Sequence, residues 1–325
     1  MMKYSKAILP LVLIVLFHAS PARAWDSLGH MIIAQIAGDQ LTPEARVAID
    51  QAMARFNEAK KGEFTSDDTA YDFVTASCWM DDIRALRDQY DFGKWHYINL
   101  PFNPDGLPTP DGEIEPNVVW GVQRCTDIIS GKAEDPSIDK DQALVMLLHL
   151  VGDTHQPLHT TNRNNDAGGN RVELKGVELT KEEELFSKKK EANLHAFWDS
   201  SYRRTFRDGK ARVLYDAPIY DQEKPVTGHA AAQELIRREA DVIKTKYPSS
   251  VVTEEKDVAG WVQESHEAGY DLSYGKLPDQ SKTGDSARVD QSYVTASSGL
   301  GQQRVAMAGY RLGALLNRLY APAAP

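Results

Sequence analysis

Two cysteines in 325 residues, Cys78 and Cys125, are too few for a zinc–thiolate site. They can form one disulfide in an oxidising compartment, or remain two buried thiols. The Asn-x-Ser/Thr sequon is missing altogether, so nothing marks a glycosylated eukaryotic secretory product, and a bacterial exported protein fits better. Positive charge is in deficit: 37 Lys and Arg face 47 Asp and Glu, for a net charge of −10. That balance argues against a broad basic face for gripping nucleic acid. No apolar run reaches the roughly 20 residues that a bilayer-spanning helix needs, so membrane insertion is not expected. There is also no Gly/Ser-rich or Pro-rich linker and no internal repeat, which points to one domain.

The chain does have a basic start at Met1 to Lys6, an apolar run from Ala7 to Phe17, and Ala22-Arg23-Ala24. Together these read as a Sec-type signal peptide over residues 1–24, cut after Ala24, with secretion or periplasmic residence as the outcome. The expected mature chain is residues 25–325. Without Lys3, Lys6 and Arg23 its net charge falls to about −13. Cleavage leaves a free α-amino group on Trp25, five residues before His30. An amine, its own carbonyl and an imidazole about one helical turn away can bind one metal ion.

Helical periodicity dominates. The spacing predicts helices over Leu28–Ala37, Ala45–Phe56 (entered through Thr42-Pro43-Glu44), Asp68–Arg87 and Asn117–Ile129. Asp141–Thr154 is apolar nearly all round and reads as a central buried helix. His195–Tyr202, Ala230–Lys246, Val258–Leu272 and Ser292–Leu319 complete the set. Asn170–Leu179 reads as a short hairpin, Pro101–Pro116 as a loop, and Lys181–Glu191 as a solvated charged excursion. The fold class is mostly α: a multi-helix bundle with at most a short β-hairpin.

Histidine and aspartate carry the chemistry. His149 and Asp153 are four apart on the buried helix, which puts both on one face. His195 and Asp199 repeat the spacing. His159 follows the first pair in Gln156-Pro157-Leu158-His159; His96 lies in Trp95-His96-Tyr97, and Asp81 in Trp79-Met80-Asp81. One His-x-x-x-Asp pair is often a local hydrogen bond, but several together beside Trp and apolar residues point to a shaped metal site. A buried carboxylate is costly unless paired or metal-bound. Imidazole and carboxylate without thiolate suit catalytic Zn²⁺. Trp25, His30, Asp81, His96, His149, Asp153, His159, His195 and Asp199 are too many for one ion and suit three.

These motifs resemble the trinuclear-zinc, single-strand-specific nucleases of fungi, plants and bacteria. The matching text is Trp25-x-x-x-x-His30, Trp79-Met80-Asp81, Trp95-His96-Tyr97, His149-x-x-Gly152-Asp153-x-His155-Gln156-Pro157-Leu158-His159, Gly168-Gly169-Asn170 and Asn193-Leu194-His195-x-x-Trp198-Asp199. The resemblance implies a helical fold of the zinc phospholipase C type. It implies one zinc on Asp81, His96, His149 and Asp153, and a second on His159, His195 and Asp199. A third would sit on the Trp25 amino nitrogen and carbonyl oxygen with His30 and the shared Asp153. It further implies endonuclease action on single-stranded RNA and DNA by a metal-activated water, with Asp81 and Asp153 at the reacting centre. Products carrying 5′-phosphates and 3′-nucleotidase activity on nucleotides complete the expectation. Three zincs against three aspartates leave a local positive surplus that anchors phosphate on an acidic protein.

Tyr97 is the candidate base stacker, with core packing as the alternative. Asn170 is a candidate phosphate or base contact, with a plain turn as the alternative. His155 reads as support or cleft wall, and His229 and His266 as surface or structural. A zinc phospholipase C is the competing enzyme, but its last ligand pair resembles His-x-x-x-Glu, whereas Asp199 stands here. A periplasmic zinc-storage protein would favour exposed His-rich repeats, which are absent from the sequence. No protein partner is inferred, and a monomer is expected.

Overall fold

The computed structural model describes residues 25–63, 70–86, 89–104, 114–186, 191–215, 230–252, 255–278 and 286–321. The expected signal segment and His229 lie outside these residues. The helices are α1 (Ser27–Gly38), α2 (Pro43–Ala59), α3 (Trp79–Asp82), α4 (Val118–Ile129), α5 (Lys140–Asp153), α6 (Lys181–Phe186), α7 (Leu194–Asp199), α8 (Ala230–Lys246), α9 (Val258–Ala268) and α10 (Gln291–Leu319). The fold is mostly α, as expected.

Helix starts are written in the sequence. Asp26, Thr42, Asn117, Asp139, Asn193, Asp257 and Asp290 each accept a hydrogen bond from the amide three residues on, satisfying a donor the helix leaves open. Each such cap contributes about 1 kcal/mol. α1 buries every residue but Gln35, and α5 buries everything from Gln142 onward. These two apolar helices form the centre. α1 packs most extensively on α10, and α4 on α5. At Gly309 of α10 a side chain would come within 2.6 Å of Ile36, so the glycine permits the close α1–α10 approach.

A larger hydrophobic core holds α1, α5 and most of α10. A smaller one gathers Leu158, Leu194, Phe197, Trp198, Tyr274 and Tyr293. The elements that carry the histidine motifs come from both cores, so the candidate site lies where the two meet.

Strands are short and occur in pairs. β1 (Leu100–Phe102) and β2 (Thr161–Arg163) are parallel, as are β3 (Glu173–Lys175) and β6 (Ser286–Arg288), whereas β4 (Arg204–Arg207) and β5 (Lys210–Val213) form a hairpin. The hairpin is therefore not at Asn170–Leu179; that stretch supplies β3, whose mate is over a hundred residues away. The real hairpin turns at Asp208-Gly209, both with positive φ, the Asp-Gly signature of a tight β-turn.

Two other expectations need correction. The helix expected over Asp68–Arg87 is, in its described part, a 3₁₀ turn at Thr75–Cys78, then α3, then a second 3₁₀ turn at Ile83–Leu86. Asp72 is the cause: its Oδ1 accepts from the amides of Val74 (2.9 Å) and Thr75 (2.7 Å), starting a new helical segment there. The expected Cys78–Cys125 disulfide is not formed, and both residues are buried thiols. Cys78 Sγ donates to Ser27 O at 3.5 Å beside α1, while Cys125 is packed within α4, its thiol pushed upward in pKa by burial. Sequence spacing carries no information on the Cα separation a disulfide requires.

The charged run begins as α6 and is tied down at Glu183, which accepts from Arg204 Nη2 at 2.6 Å. It is thus anchored at its first turn rather than wholly solvated. Among the described residues no helix is long and apolar enough to cross a membrane.

Candidate metal centre

α5 is the spine of the site. His149 and Asp153 occupy one face, as their spacing requires, with His149 Nε2 3.3 Å from Asp153 Oδ2. His149 Nδ1 donates to Ser77 O at 2.7 Å, which turns Nε2 toward the carboxylates; burial lowers the His149 pKa, but the charges of Asp153 and Asp81 outweigh it and raise it. Asp81 on α3 places Oδ1 3.8 Å from the same nitrogen. His96, ending the 3₁₀ turn Gly93–His96, brings Nδ1 to 3.1 Å from Asp153 Oδ2 and 3.0 Å from His149 Nε2.

His30 on α1 lies flat against His149, ring centroids 3.9 Å apart and nearly parallel, with Nε2 3.5 Å from Asp153 Oδ1. It is fully buried, and neither ring nitrogen has a hydrogen-bond partner. Asp153 Oδ1 is likewise without one. Orphaned buried polar atoms on this scale are costly in a folded core.

The third group is built across the second core. His159 Nδ1 donates to His96 O at 2.5 Å, and His195 Nδ1 donates to Gly168 O at 2.7 Å. Both Nε2 atoms therefore present lone pairs, and they face each other at 3.2 Å. Gly168 has φ of +62°, and a side chain there would strike Leu158 O at 2.4 Å, so glycine is needed for this carbonyl to reach the imidazole. Asp199 Oδ1 lies 3.8 Å from His195 Nε2, and the side-chain amide of Gln156 donates to it at 2.6 Å.

Three sets thus converge: His30, His149 and Asp153; Asp81, His96 and His149; and His159, His195 and Asp199, all buried. A tetrahedral ion with bonds of about 2.0–2.1 Å holds its ligand atoms roughly 3.3–3.4 Å apart. The observed separations of 3.0, 3.1, 3.2 and 3.3 Å lie near that edge length. Where two lone pairs face each other, as at His159 Nε2 and His195 Nε2, they repel unless a cation lies between them. The electrostatics agree. Burial, then the neighbouring imidazoles His149 and His159, keep His30 neutral; burial, then Arg84, do the same for His96. Burial pushes the Asp153 carboxyl up to about 6 and that of Asp199 well above its ordinary range. A divalent cation would relieve both.

Trp25 is fully buried beside this cluster. Its indole donates to Gly152 O at 3.0 Å and meets Tyr202 edge-on. The next residue, Asp26, donates its amide to Asp199 O at 3.0 Å and pairs with Arg203. The Trp25-Asp26 segment is thus pinned against both α5 and α7.

A cleft of about 350 Å³ opens onto His96 and His195, walled by Arg84, Tyr97, Asn99 and Asn170 among others. Tyr97 and Asn170 both line it; the Asn170 side chain also donates to Ala167 O at 2.8 Å, bracing its own turn. His155 does not line the cleft: it is buried behind α5, where its Nδ1 donates to Val151 O and its Nε2 accepts from Arg311 at 3.0 Å. His266 is partly buried, and its Nδ1 lies 3.2 Å from Thr160 O.

Sequence reasoning missed two residues. Arg84 reaches Asp81 Oδ1 at 2.8 Å and brings a guanidinium into the cleft wall. Its position three residues past Asp81, the next turn along, was the available signal. Gln156, inside the His149–His159 motif, orients Asp199 through its side-chain amide.

A family model described as S1/P1 Nuclease matches residues 25–321. The chain is 25% identical to Endonuclease 2 of Arabidopsis thaliana over 325 residues, covering 96% of this chain and 97% of the relative. It is 26% identical to Nuclease S1 of Aspergillus oryzae over 200 residues, 60% of each chain. Nuclease P1 of Penicillium citrinum matches at 26% over 161 residues, 46% of this chain and 52% of that one.

Proposed function

The chain belongs to the S1/P1 nuclease family, and on that footing we propose a three-zinc, single-strand-specific endonuclease that leaves 5′-phosphate products and also acts as a 3′-nucleotidase. One zinc is held by Asp81, His96, His149 and Asp153, a second by His159, His195 and Asp199. The third would be held by His30, Asp153 and, once residues 1–24 are removed, the amino nitrogen and carbonyl oxygen of Trp25. The observation that carries this reading is the convergence of imidazole nitrogens and carboxylate oxygens to 3.0–3.3 Å inside a buried core. When bound, divalent zinc supplies Lewis-acid charge to phosphoryl oxygens and brings the pKa of water down to about 7.

The protein's own groups do the rest. Arg84, paired with Asp81, and Lys94 on the same cleft wall bring positive charge to a phosphodiester. Tyr97 offers a ring for an unstacked base and Asn170 an amide for a base edge or phosphate. Gln156, Ser77, Gly168 and the His96 carbonyl hold the ligands in register.

We further propose that residues 1–24 are a signal peptide, that the mature chain is one catalytic domain over 25–325, and that it works as a monomer outside the cytoplasm. The test uses protein beginning at Trp25. Metal analysis should count three zincs per chain. Single-stranded RNA and DNA should be hydrolysed and phosphatidylcholine spared, with all activity lost to a chelator. Cleavage of phosphatidylcholine instead would make the protein a phospholipase; inertness toward all three substrates would leave only zinc binding. A version with one extra Met before Trp25 should lose one zinc, and an unchanged count would defeat the amino-terminal ligation.

A further inference from the structure

Tyr270 is the only aromatic residue exposed to solvent among the described residues, at 52% of its surface. It does not stand alone. Its ring lies 4.5 Å from that of Phe102, centroid to centroid, and Phe102 rests in turn on buried Tyr274 at 5.8 Å. We propose that this ledge is a second base-stacking subsite, taking a nucleotide of the same single strand beyond the one seated in the cleft. The inference rests on the nuclease reading and deepens it.

Three observations carry it. The first is continuity. β1 starts at Leu100, immediately after cleft-lining Asn99, and Phe102 is three residues from the cleft wall. Its parallel mate β2 starts two residues after His159 and sets Arg163 opposite Phe102. At about 3.3 Å per residue the ledge begins roughly 10 Å beyond the cleft edge. A strand leaving the cleft along β1 therefore reaches the ledge next.

The second is construction. Residues Gly269–Tyr274 form a π-helix, a rare form that recurs at functional sites. Gly269 permits it here, since a side chain would strike Thr161 Oγ1 of β2 at 2.3 Å and approach Pro157 O at 3.1 Å. The turn carrying Tyr270 is thus pressed onto β2 and onto the Pro157–His159 turn. Tyr274 OH donates to Asp166 Oδ2 at 2.8 Å, and Asp166 Oδ1 accepts from Gly169 N at 3.0 Å. The ledge and the loop carrying Gly168 and Asn170 are one braced unit, so the ledge holds a fixed place relative to the cleft.

The third is chemistry. Arg163 lies with its guanidinium 5.9 Å from the Tyr274 ring, beside the ledge, where an intervening phosphate would pass. Tyr270 itself presents an uncharged π face, and every base has one. Stacking suits a protein of net charge −10 better than a long basic track does.

The test compares a thymidine decamer with the dinucleotide dTpdT as substrates of the zinc-loaded enzyme. The wild type should prefer the decamer through KM. In Tyr270→Ala that preference should shrink roughly tenfold, most of it in KM. Tyr270→Phe should keep the preference, and Tyr270→Leu, which keeps apolar bulk without a π face, should lose it. An unchanged decamer preference in Tyr270→Ala, with wild-type cleavage of both substrates intact, overturns the subsite alone. A wild type that cleaves neither substrate overturns the nuclease reading, and the subsite falls with it.

Discussion

Replacing Gly152 by alanine should cost the protein metal before it costs it the fold. Gly152 sits one residue before Asp153 and three after His149, on the face of α5 against which His30 lies. A Cβ there would stand 3.0 Å from His30 Nδ1, 3.1 Å from its Cε1 and 3.3 Å from Ile33 Cδ1. Ordinary contact begins near 3.4 Å, so the ring must lift by roughly 0.3–0.4 Å, or α1 must be propped off α5. Alanine gains about 1 kcal/mol of helix propensity over glycine, while overpacking costs about 1–3 kcal/mol. The net stability change is therefore small, at most about 2 kcal/mol destabilising. Metal geometry is less tolerant, with workable ligand distances confined to about ±0.2 Å. Displacing His30 by more than that should weaken its metal by roughly 10- to 100-fold, as loss of a supporting contact does. The assay is zinc per chain after dialysis against graded chelator, beside thermal melts of the metal-free proteins. A Gly152→Ala protein that holds zinc as tightly as wild type and cleaves as fast would refute the reasoning.

Gln156→Ala removes the donor to Asp199 Oδ1; zinc should become roughly tenfold easier to strip from the His159, His195 and Asp199 group, read by chelator competition. Reducing agent should leave the melting temperature unchanged, because Cys78 and Cys125 are buried thiols; a drop would reveal a structural disulfide. Glu264 is subject to burial, which raises its carboxyl, but hydrogen bonds from Arg311 and Lys256 outweigh it and hold the group at about 2. A lowered folded-state pKa means its stabilisation is complete above the ordinary value of 4.5 and is lost as pH falls from there toward about 2. Glu264→Gln should therefore flatten the melting temperature's dependence on pH across that window, and an unaltered slope would count against the pairing of Glu264 with Arg311 and Lys256.

Much of this was readable from residue order. α5 announced itself by being apolar all round, and its His149 and Asp153 meet because a helix brings residues four apart to one face. The α2 start was legible at Thr42-Pro43-Glu44 because a Thr side chain acts on an amide only three residues away. What escaped was long-range or depended on a competing local bond. Asp72 broke an otherwise helical stretch by taking two amides for itself. β3 pairs with β6 across a separation that no turn signal bridges. The two thiols are the same case, since pairing depends on a distance that spacing does not encode. Within the site, ligand types and motifs were legible because their chemistry is restrictive. Arg84 and Gln156 were not, because their importance lies in what they touch. Phe102 and Tyr270, 168 positions apart, could be joined only by the fold.

Burying His30 and Asp153 inside the central helix pair has an outcome beyond chemistry. A chain short of ions carries unsatisfied groups in its own middle, so it opens more often, and each metal held at a hundred times its dissociation constant adds about 2.7 kcal/mol against that opening. Proteases attack opened chains. On the proposed reading, lifetime and ion supply would be linked: where the metal is scarce, incompletely loaded copies would be digested rather than left to accumulate as inert protein.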